Sequence, residues 1–264
     1  MAEPAKTLPI PREDEAEPGF PLLQRWIEHP GGRLELLVRP LTPEEFLNPQ
    51  PEDTMTEGEP HFTLRMQLAD LLKRHFKTTA LILGDVIHQL GPGLPAPSPD
   101  VSVIPGARPG LRSSFSVTNE GVRPGLIIEI LSPSSKAIRR VDEVDKVEIY
   151  SRAGIPEYLL VDLPRHGNRY QLGLKGYRLN AAGKYSPIEP DDRGHLLCKA
   201  TRLRFFIKGD RVRAIDDRTG QPLLYSDEEE ARRQAAEAEI AQLREELARL
   251  QSRIRETHEK DSDK

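Results

Sequence analysis

Three ionisable residues stand where their types and spacing could do chemistry. Glu129 lies inside Gly125-Leu126-Ile127-Ile128-Glu129-Ile130-Leu131, an otherwise apolar run. A carboxylate in a strand buried on both faces is costly unless it is paired or binds a metal. Glu129 therefore reads either as half of an ion pair or as a cation ligand. Asp100 opens the alternating segment Asp100-Val101-Ser102-Val103-Ile104. Alone it reads as a turn cap. On a strand beside that of Glu129, the two carboxylates would share a face, and two carboxylates plus a backbone carbonyl form a hard oxygen set suited to Mg2+ or Mn2+. Asp142, Lys146 and Tyr150 follow at i, i+4 and i+8, one stripe of a helix. That stripe is either a solvated salt-bridge face or a lysine aimed at a phosphate and its attacking water, fixed by Asp142 and Tyr150. Asp, Glu and Lys in this order are the minimal kit for metal-dependent phosphodiester hydrolysis. The metal polarises the phosphoryl oxygen and acidifies bound water, and the lysine offsets the charge growing in the transition state.

The elements that must position these residues are legible in outline. Trp26 and Leu34 to Val38 suggest a short helix and then a strand. Thr42, Pro43 and Glu45 form a helix start with a capping box. Leu64, Leu68, Leu71, Leu72 and Phe76 recur at helical spacing, predicting a helix over 62–76. Strands are expected at Thr79–His88, Asp100–Ile104 and Leu126–Leu131. A helix over Arg139–Ala153 stops at Gly154 and feeds the strand Glu157–Asp162. Strand, helix, strand at this spacing is a βαβ unit, which makes its two strands parallel. A long Gly/Pro/Ser/Arg link spans 105–125, and short strands fill 170–216.

Composition bounds the rest. The chain has 264 residues and formal charge −4, and its final 38 residues hold 12 acids and 8 bases. Residues 1–226 are thus near neutral, with no strongly basic footprint over the whole surface. No apolar run approaches the roughly 20 residues of a membrane span. The single cysteine, Cys198, allows no intramolecular disulfide and no thiolate zinc cluster. With an N-terminus that lacks an apolar stretch, this points to a reducing, cytoplasmic setting. Residues 1–19 read as a disordered acidic, Pro-rich arm, 20–225 as the main domain and 226–264 as a C-terminal amphipathic helix. Ser226 and Glu229 read as that helix's capping box. Ile240, Leu243, Leu247, Leu250 and Ile254 then form a short heptad seam, suited to self-association through 226–257.

Four motifs in order resemble one family. They are Ser98-Pro99-Asp100-Val101, Ile128-Glu129-Ile130-Leu131-Ser132-Pro133-Ser134-Ser135, Asp142-x-x-x-Lys146-x-x-x-Tyr150 and Ala153-Gly154-Ile155-Pro156-Glu157-Tyr158-Leu159-Leu160-Val161-Asp162. Together they look like the Uma-two family of the PD-(D/E)XK nuclease-like superfamily, over roughly 60–210. The resemblance implies an α/β fold, a restriction-endonuclease-like core with a mixed sheet flanked by helices. It implies Asp100 and Glu129 as metal ligands. The lysine usually found two residues after the Glu, where this chain has Leu131, is moved to the helix as Lys146. The expectation is a Mg2+- or Mn2+-dependent DNA endonuclease with the Ile130 carbonyl as third ligand and Asp142 and Tyr150 as accessory groups. Glu57, Glu59 and His61 read either as further ligands or as a helix N-terminal acid cluster, with Glu59 and His61 as the candidate accessory groups. Arg108, Arg112, Arg123, Arg139 and Arg140 read as a DNA-facing rim or as scattered surface charge. The competing expectation is a catalytically silent scaffold that binds nucleic acid or protein and assembles through its tail.

Overall fold

The computed structural model describes residues 22–50, 53–55, 57–131, 136–166 and 169–262. The predicted arm 1–19 and the loop Ser132–Ser135 lie outside these. Contacts separate residues 1–223 from residues 224–264.

The first unit opens with a hairpin, β1 (Leu22–His29) and β2 (Arg33–Pro40), joined through Gly31 and Gly32 at φ +95° and +78°. Glycine enters this region at little cost. The helix expected at Trp26 is therefore a strand. Apolar residues on both faces hide its two-residue period, because Leu23 is buried on one face while Trp26, Leu34 and Val38 are exposed on the other. Helix α1 (Pro43–Leu47) carries the predicted capping box between Thr42 and Glu45. A short strand, β3 (Thr54–Met55), pairs with β1.

Helix α2 (Glu59–Phe76) begins three residues earlier than the periodicity predicts, with Pro60 in its first turn. Glu59 and His61 therefore sit inside the helix. Leu64, Leu68, Leu71 and Leu72 are buried as their spacing requires. The strand expected over Thr79–His88 is two strands, β4 (Ala80–Leu83) and β5 (Ile87–Gln89), with a turn at Gly84-Asp85 between them. Asp85 has φ +53°, and its N–H donates to the Pro99 carbonyl at 2.9 Å. A Cβ on Gly84 would lie 3.2 Å from the Asp100 carbonyl oxygen, so this turn needs a bare backbone.

β6 (Val101–Pro105) and β8 (Leu126–Leu131) occupy the predicted strands. The long link between them holds β7 (Ser114–Ser116) and α3 (Val117–Glu120). β7 runs parallel to β5 and buries Phe115. The helix after β8 comes in three pieces: α4 (Lys136–Arg140), a π-helical turn at Val141–Asp145, and α5 (Lys146–Arg152). β9 (Glu157–Asp162) then pairs with β8 in parallel, as a βαβ unit demands. A small hairpin, β10 (Arg165–His166) with β11 (Arg169–Tyr170), precedes β12 (Gly173–Leu179) and β13 (Tyr185–Pro187). The central mixed sheet has the order β13-β12-β9-β8-β6-β4. β14 (Leu196–Cys198), β15 (Leu203–Lys208) and β16 (Arg211–Asp216) form a separate antiparallel sheet. This is the α/β architecture with a mixed sheet that the sequence predicts. Cys198 is a buried free thiol, its environment pushing its pKa up through desolvation.

In the second unit, helix α6 (Ser226–Ser262) starts at Ser226, the residue expected as its cap. The Glu228 side chain takes the Tyr225 N–H at 3.0 Å, so this capping bond is made to Tyr225 rather than to Ser226. Ile240, Leu243, Leu247 and Leu250 are each about half exposed. Among the described residues no helix is long and apolar enough to cross a membrane.

One buried anchor ties β9 to the loop after β14. Glu157 accepts from Arg178 Nε at 2.9 Å and from the N–H groups of Lys199 and Ala200 at 2.7 and 2.9 Å. Glu157→Gln leaves at least one of these donors without a charged acceptor. It should cost about 3 kcal/mol of unfolding free energy, measured by urea denaturation.

Candidate active site

The site is built where four elements converge. Val101 pairs with Ile128 across β6 and β8, so Asp100 at the start of β6 stands opposite Glu129. The two acids are joined through each other's backbone. Asp100 Oδ2 accepts the Ile130 N–H at 2.7 Å, and Glu129 Oε2 accepts the Asp100 N–H at 3.2 Å. Glu129 lies on the same side of β8 as Ile127 and Leu131, which pack with Ile149, Tyr150, Tyr158 and Leu160 in one apolar cluster. The carboxylate thus points into the layer between the sheet and α5.

There Glu129 is only 2% exposed, and its partners come from α5. Lys146 Nζ donates to Glu129 Oε1 at 2.8 Å, and Tyr150 OH donates to the same oxygen at 2.7 Å. Lys146 is 0% exposed and also lies 2.8 Å from Asp142 Oδ1, an ion-pair contact outside good hydrogen-bond geometry. The Phe46 ring of α1 closes over the ammonium, Nζ lying 4.1 Å from its centroid. The π-helical turn widens the backbone ladder here, the Lys146 N–H donating to the Val141 carbonyl, and Tyr158 OH donates to the Asp142 carbonyl at 3.0 Å. Asp142, Lys146 and Tyr150 are all buried, so the stripe is an internal network and not a solvated face.

The fourth element is α2. His61 Nε2 lies 2.9 Å from the Ile130 carbonyl oxygen and 3.3 Å from Asp100 Oδ2, and Nδ1 lies 2.5 Å from Glu57 Oε2. Glu57, His61 and Asp100 form a cluster able to hold a metal ion. Glu57 is further bound by Arg65, whose Nε donates to it at 3.3 Å. Glu59 is exposed and stands apart from this cluster, so of the two acids read as candidate ligands it is Glu57 that lies beside His61. The signal for Glu57 was its position four residues before His61. Asp85 stays at the edge, accepting from Ser98 Oγ at 3.1 Å and lying 3.5 Å from Arg65. Three of the five candidate rim arginines are committed elsewhere. Arg112 pairs with Glu120, Arg139 grips Asp162 through both terminal nitrogens, and Arg123 donates to the carbonyls of Ala153 and Gly154.

Electrostatically, four carboxylates (Glu57, Asp100, Glu129, Asp142) face three cations (His61, Arg65, Lys146). Burial first, and the neighbouring acids after it, show in the protonation of the group. Burial pushes Glu129 up to about 8 against the pull of Lys146, and burial likewise pushes Asp142 up to about 6. Desolvation raises Asp100 too, but His61 and the Ile130 N–H outweigh it and hold it below the usual carboxylate range. Burial works against a charged His61, but Asp100 and Glu57 on its two ring nitrogens overcome this and push it up to about 11. Lys146 is likewise held charged, Asp142 and Glu129 outweighing its desolvation.

The donor set fits a hard divalent ion. Adjacent ligands of an octahedral ion at about 2.1 Å are roughly 3.0 Å apart. That matches the 2.9 and 3.3 Å separations of Ile130 O and Asp100 Oδ2 from His61 Nε2. With all four carboxylates ionised the cluster carries one surplus negative charge, and a cation in place of the Glu129 proton is of the sign that relieves it.

A family model, Uma2, described as "Putative restriction endonuclease", matches residues 26–203. A solved structure from Anabaena variabilis ATCC 29413, titled as a "putative nuclease belonging to DUF820", is similar to 58% of this chain. It is covered over 87% of its own length, at 17% identity and a TM-score of 0.38. No curated protein matches the chain.

Glu129, Asp142 and His61 all hold protons more tightly folded than unfolded. Such groups stabilise the fold fully below their unfolded values and lose that contribution as pH rises through their folded values. Asp142 and Glu129 complete this by about pH 6 and 8, while His61 spans about 6.5 to 11. The metal-free protein should therefore lose stability between about pH 7 and pH 10. His61→Gln should flatten that slope in urea unfolding with chelator present. Parallel pH profiles for the two proteins would show that His61 carries no charge in the fold.

Proposed function

This chain belongs to the Uma2 family, and we propose from that premise that it is a nuclease acting on DNA through Mg2+ or Mn2+. The observation that carries the reading is the approach of His61 Nε2 to the Ile130 carbonyl at 2.9 Å and to Asp100 Oδ2 at 3.3 Å, with the Glu129 carboxylate bound to the Asp100 N–H. Asp100, Ile130, Glu129 and His61 would hold the ion, with Glu57 positioning His61 from behind. The imidazole donor tilts the preference from Mg2+ towards Mn2+. When bound, such an ion supplies a polarised phosphoryl oxygen and an acidified water.

The chain's own residues do the rest. Lys146 fixes Glu129 in place and provides a permanent positive charge against the negative charge that grows on the phosphate in the transition state. Tyr150 OH holds the Glu129 oxygen that Lys146 also binds, so the other oxygen is left for the Asp100 side of the site. Asp142 shares the ammonium and keeps Lys146 charged. We place this unit within residues 20–225, with self-association through 226–257, in a reducing cytoplasm that suits one buried thiol.

A second reading rests on one observation. Lys146 is shut from solvent beneath Phe46, so a phosphate reaches it only if α1 moves. In that reading the core binds nucleic acid or protein without cutting, and the acid–lysine network is structural.

Mn2+ titration by calorimetry separates the two. The wild type should bind, releasing a proton from His61 and binding more tightly at higher pH. Asp100→Asn should bind at least about 10-fold more weakly while remaining folded. A folded wild type that binds no Mn2+ up to millimolar concentration would favour the scaffold. In a plasmid cleavage assay, Lys146→Met should lower Mn2+-dependent cutting by about 100-fold or more, whereas unchanged cutting would remove Lys146 from the mechanism.

A further inference from the structure

Helix α6 presents a seam with no covering in its own unit. Ile240, Leu243, Leu247 and Leu250 are 49%, 57%, 56% and 52% exposed. They fall at alternating spacings of three and four, so Ile240 and Leu247 take heptad position a, and Leu243 and Leu250 take position d. The sequence carries the same frame on to Ile254 at a. Isoleucine at a with leucine at d favours a two-stranded parallel coil; Ile240 and Ile254 meet that pattern, and Leu247 is the a position between them that is not β-branched.

The flanking charges choose the orientation. Position g holds Arg232, Glu239, Glu246 and Arg253, and position e holds Glu237, Arg244 and Gln251. In a parallel pair each g residue meets the e residue five positions further along its partner. That sets Arg232 against Glu237 and Glu239 against Arg244, two attractive pairs on each side of the seam. Five residues is the wrong spacing for an ion pair within one helix, where partners lie three or four apart. Among the described residues, Arg232, Glu239 and Arg244 accordingly enter no ion pair inside α6. Arg233 with Glu230 and Glu237, and Arg249 with Glu245, do pair at helical spacing. The antiparallel alternative stacks Ile240 on Leu250 and Leu243 on Leu247, and at its centre it sets Glu246 against Glu246 and Arg244 against Arg244. Both central contacts are repulsive, and the attractive g–g′ contact of that register, Glu239 with Arg253, lies towards the ends.

We propose that α6 pairs with α6 of a second copy of this chain as a parallel, in-register, two-stranded coil, specified by Arg232–Glu237 and Glu239–Arg244 contacts between helices. This deepens the self-association reading above. Both chain junctions at Leu223–Leu224 then lie at the same end of the coil, so one assembly carries two copies of the candidate site.

The test uses the full chain. Sedimentation equilibrium should give twice 29.7 kDa at tens of micromolar. Leu243→Glu with Leu247→Glu should give the monomer mass with the main thermal transition unchanged. Arg244→Glu should weaken the dimer roughly tenfold by placing Glu239 opposite a glutamate, and Glu239→Arg added to it should restore the wild-type constant. In an antiparallel pair Arg244→Glu merely replaces one like-charge contact by another. Leu250→Cys should form an intermolecular disulfide on oxidation, and Cys198 cannot substitute because it is buried. A wild-type monomer at 100 µM would overturn the proposal, as would a trimer or tetramer. So would a dimer indifferent to Arg244→Glu or one that Leu250→Cys fails to trap. None of these readouts involves Mn2+, so failure of the coil and failure of the metal site are told apart.

Discussion

A carboxylate buried between a sheet and a helix has to be answered, and the answer organises this molecule. Glu129 gives up its water on β8 and receives Lys146 and Tyr150 on one oxygen and the Asp100 N–H on the other. Lys146 is itself buried, so it needs a second acid, which Asp142 provides from the π-helical turn. Each partner brings an element with it: α5 must lie flat on β8 and β9, and β6 must lie beside β8. Burying two of these charges without the others would cost several kcal/mol per uncompensated group. The apolar cluster of Ile127, Leu131, Ile149, Tyr158 and Leu160 around the network supplies the driving force.

The same constraint divides the site into a closed half and an open half. Lys146, Tyr150 and Asp142 form an interior scaffold sealed by Phe46. Asp100, the Ile130 carbonyl, His61 and Glu57 sit at the strand ends, where solvent reaches. In the absence of a metal the His61 imidazolium bridges Glu57 and Asp100 as an internal cation. It lies against the oxygens that the metal proposal assigns as ligands, so proton and metal are natural competitors for one place.

The strand that carries Asp100 shows how local backbone and site are coupled. The Gly84-Asp85 turn brings β4 against Pro99 and Asp100 so closely that a side chain at Gly84 would crowd the Asp100 carbonyl. This turn interrupts what the sequence reads as a single strand from Thr79 to His88, and it fixes the backbone next to the acid. The π-helical turn does the same for Lys146, with the Tyr158 hydroxyl bound to the Asp142 carbonyl of that turn. Both irregularities lie next to the ionisable groups.

What the sequence determined by itself is what short-range patterns carry. The apolar runs at Leu126–Leu131 and Glu157–Asp162, the periodic leucines of α2, the capping box of α1 and the heptad seam of α6 each follow from spacing along the chain. Glu129 stood out because a charge inside an apolar run is locally anomalous. The tertiary structure decided what depends on the other side of a contact. It turned the expected helix at Trp26 into a hairpin strand, because apolar residues on both faces erase the two-residue period. It brought Glu57 and His61, and not Glu59, beside Asp100, because only packing against the sheet fixes which side of the start of α2 faces that strand. It also showed Lys146 as a buried ion-pair partner, because i, i+4 spacing gives one stripe of a helix without saying whether that stripe faces water or a carboxylate. Spacing along the chain sets which residues share a face; only the fold sets what that face meets.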